Sequence, residues 1–224
     1  MALLTGLAPD PRRPGYRVVE VDRGRFASLP AAALEPLDLR VGEPLAPAVL
    51  ERLHALADIE AAERAALRAL GRRAHARADL KRRLMRRQHP PAAVEAALER
   101  LAARDLLDDR RFAEQYAALR AARGKGPARL VTDLLAQGVE RRVAEEAVRR
   151  ALEEEGIDPA LEARAVAAKR ARQLGHLPER LRRRRLLAFL TRRGYPAPQV
   201  RELVDELTRA APGATLRPTT REEP

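Results

Sequence analysis

The sequence predicts a mainly α-helical protein: three tandem three-helix repeats in an elongated crescent, with a small N-terminal β-hairpin arm. Three observations lead there. The apolar residues are chiefly Ala, Leu and Val, with no Trp, no Cys, three Phe and three Tyr in 224 residues, a composition suited to packed helices rather than a sandwich or barrel. Leucine and alanine recur at three-to-four spacing from Pro47 to about Ala210. One helix–glycine–apolar–helix pattern also occurs three times at nearly constant spacing.

The arm, residues 1–46, comes first. Tyr16, Val18, Val19 and Val21 form a β-prone run, Asp22-Arg23-Gly24 is a turn signal, and residues 25–29 suit a returning strand. An isolated hairpin is marginal in water, so the arm is expected to lean on the helices. The opening MALLTGLAPD lacks the basic start and apolar core of a signal peptide. No apolar run reaches the roughly 18 residues that span a membrane. Without cysteine there is no disulfide framework, thiol nucleophile or sulfur-ligated zinc. The expected compartment is the cytoplasm.

Prolines mark the helix starts. Pro47, Pro91, Pro127, Pro159, Pro178 and Pro196 each open an apolar-periodic stretch, at the first-turn position where a missing N–H does no harm. Asp108 and Asp158 stand where N-caps belong.

The repeat aligns Leu80-x3-Leu84-x3-Gln88-His89 with Leu130-x3-Leu134-x3-Gly138-Val139 and Leu186-x3-Leu190-x3-Gly194-Tyr195. Each is a helix with a Leu pair at i,i+4, ended by Gly or a stand-in, then an apolar residue. The next helix resumes at Val94, Val143 and Val200, and another helix precedes each unit. The expected divisions are a first repeat with lead-in helix at 47–107, a second at 108–157, a third at 158–210 and a flexible tail at 211–224.

The formal net charge is +12, and 41 of the 44 cations are Arg. The preference for Arg over Lys fits a GC-rich codon bias, so where the charge sits says more than which cation carries it. Residues 72–87 are net +7 and include Arg73, Arg77, Lys81, Arg82 and Arg86. Residues 120–129 carry Arg120, Arg123, Lys125 and Arg129 with no acid. Residues 171–195 are net +7 and include Arg182, Arg185, Arg192 and Arg193. All three basic segments fall on the second helix of a unit or its approach, which is the footprint of a polyanionic partner. The plainer alternative is a solvated helix face. In the run 182–185 successive side chains turn by about 100°, so Arg182 and Arg185 are expected near one face, with Leu181 and Leu186 as core contacts.

Catalytic material is sparse. Ser28 is the one serine and is expected near a strand end. His54, His75, His89 and His176 form no i,i+4 pair. Asp108-Asp109 reads as an N-cap with a first-turn dipole partner. Gly124-Lys125-Gly126 lacks the spacing of a phosphate loop, although a helix-opening turn with a cation can hold one phosphate. Phe112 and Tyr116 read as a core pair. No metal or cofactor is called for.

Leu107-Asp108-Asp109-Arg110-Arg111-Phe112-Ala113, then Tyr116, Arg120, Lys125-Gly126-Pro127-x-Arg129-Leu130 and Leu134-x3-Gly138-Val139, resemble the central motif of the RecX family. Phe189-Leu190-x-Arg192-Arg193-Gly194-Tyr195 is similar to its third-repeat motif, and Gly24-x-Phe26-Ala27 with Leu39-x-Val41-Gly42-x-Pro44-Leu45 resembles its N-terminal arm. The resemblance spans roughly residues 16–208. There are two departures. His75-Ala76 stands where the family's first repeat has Arg-Ser, and Gln88 stands where Gly is usual.

The resemblance implies a regulator rather than an enzyme. It implies stacked three-helix repeats lying in the groove of the RecA–DNA filament, restraining ATPase, strand exchange and filament growth. The expected partners are the RecA recombinase filament and DNA, single- or double-stranded, bound without sequence preference. The chain is expected to act as a monomer. The alternative is a DNA-binding module in its own right, since three-helix units with a glycine turn resemble helix-turn-helix domains. The basic helices carry almost no Asn, Gln, Ser or Thr beyond Gln88 and Thr191, which disfavours base reading.

Overall fold

The computed structural model describes residues 2–195 and 197–209. Pro196 and the expected tail 211–224 lie outside the described residues. Within them the chain forms two compact units that meet in sequence at Asp108 and Asp109.

The first unit opens with an antiparallel sheet of three strands in the order β1 (Leu4–Pro9), β2 (Tyr16–Val21), β3 (Gly24–Pro30). The expected hairpin is β2–β3. Asp22 and Arg23 both take positive φ, 50° and 66°, and Val21 pairs with Gly24, the two-residue turn that matches strand twist. Strand β1 is an addition to the sequence reading. Its segment LTGLAP carries Gly6 and Pro9, which mask the alternation of a strand, and it sits at the sheet edge where Pro is tolerated.

A short helix α1 (Ala31–Leu34) and a 3-10 turn (Glu35–Leu37) lead to α2 (Pro47–Leu70). This 24-residue helix serves two cores. Leu53 and Leu56 join Leu4, Val19, Leu29, Leu34 and Leu45 beneath the sheet. Ala65, Ala66 and Ala69 meet Leu80, Leu84, Val94, Leu98 and Leu101 from α3 (Arg77–Met85) and α4 (Pro91–Ala102). With Ala62, these buried alanines stand at i, i+3, i+4 and i+7 and let α4 approach α2 closely. The arm therefore leans on the lead-in helix, as its marginal stability required.

Two carboxylates lie in this unit with almost no exposure. Glu60 is 1% and Glu63 6% exposed. Glu60 receives Arg13 at 3.1 Å from the β1–β2 turn and Arg100 at 2.9 Å from α4, and Glu63 receives Arg100 at 3.3 Å and Arg104 at 2.8 Å. Buried carboxylates persist only when paired in this way. Ser28 Oγ donates to Asp10 Oδ2 at 2.5 Å and joins β3 to the end of β1.

The second unit holds α5 (Asp109–Ala121), α6 (Pro127–Gln137), α7 (Arg141–Glu154), α8 (Pro159–Gln173), α9 (Glu179–Arg193) and α10 (Ala197–Arg209). Helices α5–α7 pack on one another, as do α8–α10. With α2–α4 these are three three-helix units. Pro47, Pro91, Pro127 and Pro159 are the first residues of their helices. Pro178 instead stands one step earlier, as the N-cap of α9. Asp158 caps α8, accepting from Ala160 N at 2.8 Å, and Asp108 immediately precedes α5.

The aligned turns share one geometry. Gln88, Gly138 and Gly194 all take left-handed φ of 63°, 89° and 88°. The next amide then reaches back five residues: His89 to Leu84 O at 3.4 Å, Val139 to Leu134 O at 3.1 Å and Tyr195 to Leu190 O at 3.1 Å. This is a Schellman ending, and Gln88 adopts it despite its side chain.

Candidate functional site

The three second helices, α3, α6 and α9, and their approaches hold the cations that the sequence singles out. The structure sorts them by what each already touches.

At the first repeat, Ala76 is the N-cap of α3 and offers no side-chain bond. Buried His75 donates from Nδ1 to Asp79 Oδ2 at 2.7 Å, so a carboxylate in the first turn and the preceding imidazole tie down this helix start. Burial alone would raise the Asp79 carboxyl. The bond and charge of His75, with Arg73 and Arg82, outweigh it and hold the group below its ordinary 3.8. Arg73 and Arg82 lie 3.5 and 3.8 Å from Asp79. Arg77 bridges Glu95 and Glu99 at 3.2 and 2.8 Å, and Lys81 pairs with Glu95. Arg86 is exposed.

At the second repeat, Asp133 on α6 gathers the approach. Lys125 Nζ and Arg129 Nε each stand 2.9 Å from its carboxylate, and Tyr116 OH donates to it at 3.2 Å. Burial pushes Asp133 up, but the Lys125 hydrogen bond and the two cations pull it below 3.8. Arg120 lies over the Tyr116 ring, 3.8 Å from its centroid. Tyr116 is thus half-buried beneath a cation, while its partner Phe112 is 7% exposed and in the core. Arg123 is exposed.

The turn 124–126 does not present amides to an anion. Gly124 N and Lys125 N bond back to Ala121 O and Arg120 O, and Gly126 N donates to Arg193 O at 2.7 Å. The phosphate-holding turn allowed by the sequence has spent its donors on the protein. It forms instead a joint between the second and third repeats. Ala128 N donates to Gly194 O at 3.2 Å, and Arg193 Nη1 donates to Gly124 O at 2.9 Å. Tyr195 is 3% exposed, and burial, then Glu162, pushes its hydroxyl up to about 12.

At the third repeat, Arg182 and Arg185 part company. Arg182 is 8% exposed, and its Nη2 donates to Thr208 O near the end of α10, where a cation suits the helix dipole. Arg185 is exposed. The expectation of one shared face fails because α10 covers the Arg182 side of α9. Leu186 is fully buried, whereas Leu181, expected in the core, is half-buried. Arg192 is exposed, and half-buried Arg193 also lies 5.0 Å from the Phe189 centroid.

Four of the thirteen candidate cations thus remain exposed with no ion pair among the described residues: Arg86, Arg123, Arg185 and Arg192. Each repeat supplies at least one. Sequence reasoning could not separate them from the rest, because the others are engaged by Asp79, Glu95, Glu99, Asp133, the Tyr116 ring, Gly124 O and Thr208 O, partners that range from one helical turn to a distant helix. Among the described residues no group of three or more His, Cys, Asp or Glu could hold a metal ion, and no helix is long and apolar enough to cross a membrane.

Comparison with known proteins gives these units a family. The models for the first, second and third three-helix domains of RecX match residues 62–101, 108–148 and 162–204. A "Regulatory protein RecX" of Halorhodospira halophila is 42% identical over 142 residues, covering 63% of this chain and 85% of the relative. That of Pseudomonas syringae pv. tomato is 37% identical over 145 residues, covering 64% and 90%. A solved structure, "Crystal structure of regulatory protein RecX", superposes with a TM-score of 0.69 at 21% identity, over 92% of this chain and all of that one. The RecX of Lactobacillus salivarius does so with a TM-score of 0.56 at 21% identity, over 67% and 96%. Three consecutive family domains, with a relative 42% identical over 85% of its own length, make this chain a member of the RecX family of regulatory proteins.

Proposed function

We propose that this chain restrains the recombinase RecA on DNA. Its second helices and the turns beside them present exposed arginines to the acidic and phosphate-bearing surfaces of the RecA–DNA filament, so that ATPase, strand exchange and filament growth slow. One observation carries the reading: each of the three repeats keeps at least one exposed cation without an ion pair, at Arg86, at Arg123, and at Arg185 and Arg192. Of the other candidate cations, Arg73, Arg77, Lys81, Arg82, Lys125 and Arg129 are held by carboxylates and Arg182 is buried. Family membership supports the regulatory role.

The chain acts in the cytoplasm as a monomer, and its contact with DNA is through phosphates rather than base edges. Unpaired Arg is suited to this, since it presents a rigid fork to phosphate or carboxylate. The test is ATP turnover by the cognate RecA on single-stranded DNA with increasing amounts of this chain. Turnover should fall as the chain is added. An unchanged rate contradicts the reading, and a raised rate makes the chain an enhancer instead.

A further inference from the structure

A cleft lies between the second and third repeats, within one compact unit. The end of α5 and the following turn supply Arg123 and Gly124, α8 supplies Glu162, Lys169 and Arg170, and α9 supplies Phe189 and Arg193. Its volume is about 420 Å³, within the range of roughly 300–1,000 Å³ typical of small-molecule sites. Four cations face one carboxylate.

Two of those cations are already positioned. Arg170 and Arg193 sit 5.5 and 5.0 Å from the Phe189 ring centroid. Arg170 Nη1 donates to Gln173 Oε1 at 2.8 Å, while its buried Nε has no hydrogen-bond partner among the described residues. Arg193 is fixed by Gly124 O. Arg123 and Lys169 are exposed at the rim and have no ion pair among the described residues. Gly124 keeps the floor open. Its φ is +69°, and a Cβ there would stand 3.0 Å from both Arg193 Nη1 and Glu162 Oε1.

We infer that this cleft is a phosphodiester site, taking one nucleotide of a single DNA strand with its phosphate among Arg123, Lys169 and Arg170. An acidic protein side chain would need the cations but not the volume, the aromatic wall or the Gln173 amide. A nucleotide uses all of them, since phosphate seeks arginine forks and bases tolerate an aromatic neighbour. The inference rests on the reading of DNA as one of the chain's two surfaces, and it names where a strand is held.

The probe is a fluorescent oligothymidylate of about 15 nucleotides, titrated with the full chain between about 50 and 200 mM salt. The Arg123→Ala/Lys169→Ala variant should bind roughly tenfold more weakly at low salt. Its slope of log affinity against log salt should be smaller by roughly 1.4, at ~0.7 per lost single-strand contact. Arg64→Ala/Arg68→Ala removes equal charge from an exposed face of α2 and should change affinity by less than about threefold, the long-range share of an equal charge loss. Glu162→Gln should tighten binding, an effect no folding defect can imitate. On the wild-type chain the oligonucleotide should shield Lys169 from acetylation more than Lys81, which is paired with Glu95.

The inference fails if the cleft variant matches the α2 control, if Glu162→Gln has no effect, or if Lys169 stays unshielded. Unchanged DNA binding with lost suppression of RecA turnover would assign the cleft to an acidic protein surface. That overturns the phosphodiester site and leaves the regulatory reading intact. A wild-type chain that binds the oligonucleotide through the cleft yet leaves RecA turnover unchanged would do the reverse.

Discussion

Gly194 lies directly against the backbone of Arg129. A Cβ on Gly194 would stand 2.2 Å from Arg129 N and 2.7 Å from its Cα, so the third repeat's turn is seated on the first turn of α6. The segment that opens α6 also donates two backbone hydrogen bonds to this turn, Gly126 N to Arg193 O and Ala128 N to Gly194 O. The glycine ending α9 therefore has two duties, a left-handed φ of 88° and room for the central repeat.

Gly194→Ala should destabilise the chain by about 2–4 kcal/mol, from left-handed strain plus an overpacked contact that backbone cannot relieve. Gly156→Ala is the control. It also has positive φ, 62°, but nothing within 4 Å of the added Cβ, so only about 1–2 kcal/mol is expected. Urea unfolding of both variants measures the difference, and equal losses would mean the close approach carries no energy.

Gln88 holds a left-handed position that its two counterparts fill with glycine. Gln88→Gly should stabilise the first unit by about 0.5–1 kcal/mol, as strain relief outweighs the added freedom of the unfolded chain. A raised urea midpoint with an unchanged slope checks it.

Glu60 joins the arm to the first repeat by accepting from Arg13 and Arg100. Glu60→Ala should lower stability by about 2–3 kcal/mol, because a buried charged network loses its centre. Arg13→Ala should be costly in the wild type and nearly neutral in the Glu60→Ala background, a coupling that a double-mutant cycle reads directly. Additive losses would mean that the arm docks by its apolar contacts alone.

Asp133 has a carboxyl pKa below 3.8 in the folded chain. A depressed carboxylate contributes stability that is present above its unfolded value and disappears as pH falls through the folded one. Stability should therefore drop with acid below about pH 4, and Asp133→Asn should lose part of that drop. The same substitution releases Lys125 and Arg129 from their shared acid. DNA affinity should then rise, by roughly twofold to fivefold at low salt, and the salt dependence should steepen. Anisotropy titration of a DNA duplex checks the second effect independently of the first.

Much of the fold was legible because the repeat is written locally. A Leu pair at i,i+4, a turn residue able to take positive φ, and a proline at the next helix start need no distant partner to be recognised. Strand β1 was missed because Gly6 and Pro9 interrupt its pattern, and it is held by pairs such as Leu7 with Val19 and by the bridge from Leu3 to Pro44. The site was legible only as charge. Which cations stay free depends on Glu95 and Glu99 reaching Arg77, on Thr208 O receiving Arg182, and on Asp133 holding two cations at once. These relations span from one helical turn to 26 residues, and no periodicity encodes them.

The most direct measurement is ATP turnover by the cognate RecA on single-stranded DNA, with the wild-type chain and with Arg86, Arg123, Arg185 and Arg192 all changed to Ala. These four side chains are exposed, so melting should stay within a degree or two, as ~0.5 kcal/mol of surface effect allows. The wild type should suppress turnover and the fourfold variant should leave it near the rate of RecA alone. A fourfold variant that suppresses as strongly as wild type would contradict the claim that the unpaired cations of the three repeats carry the function.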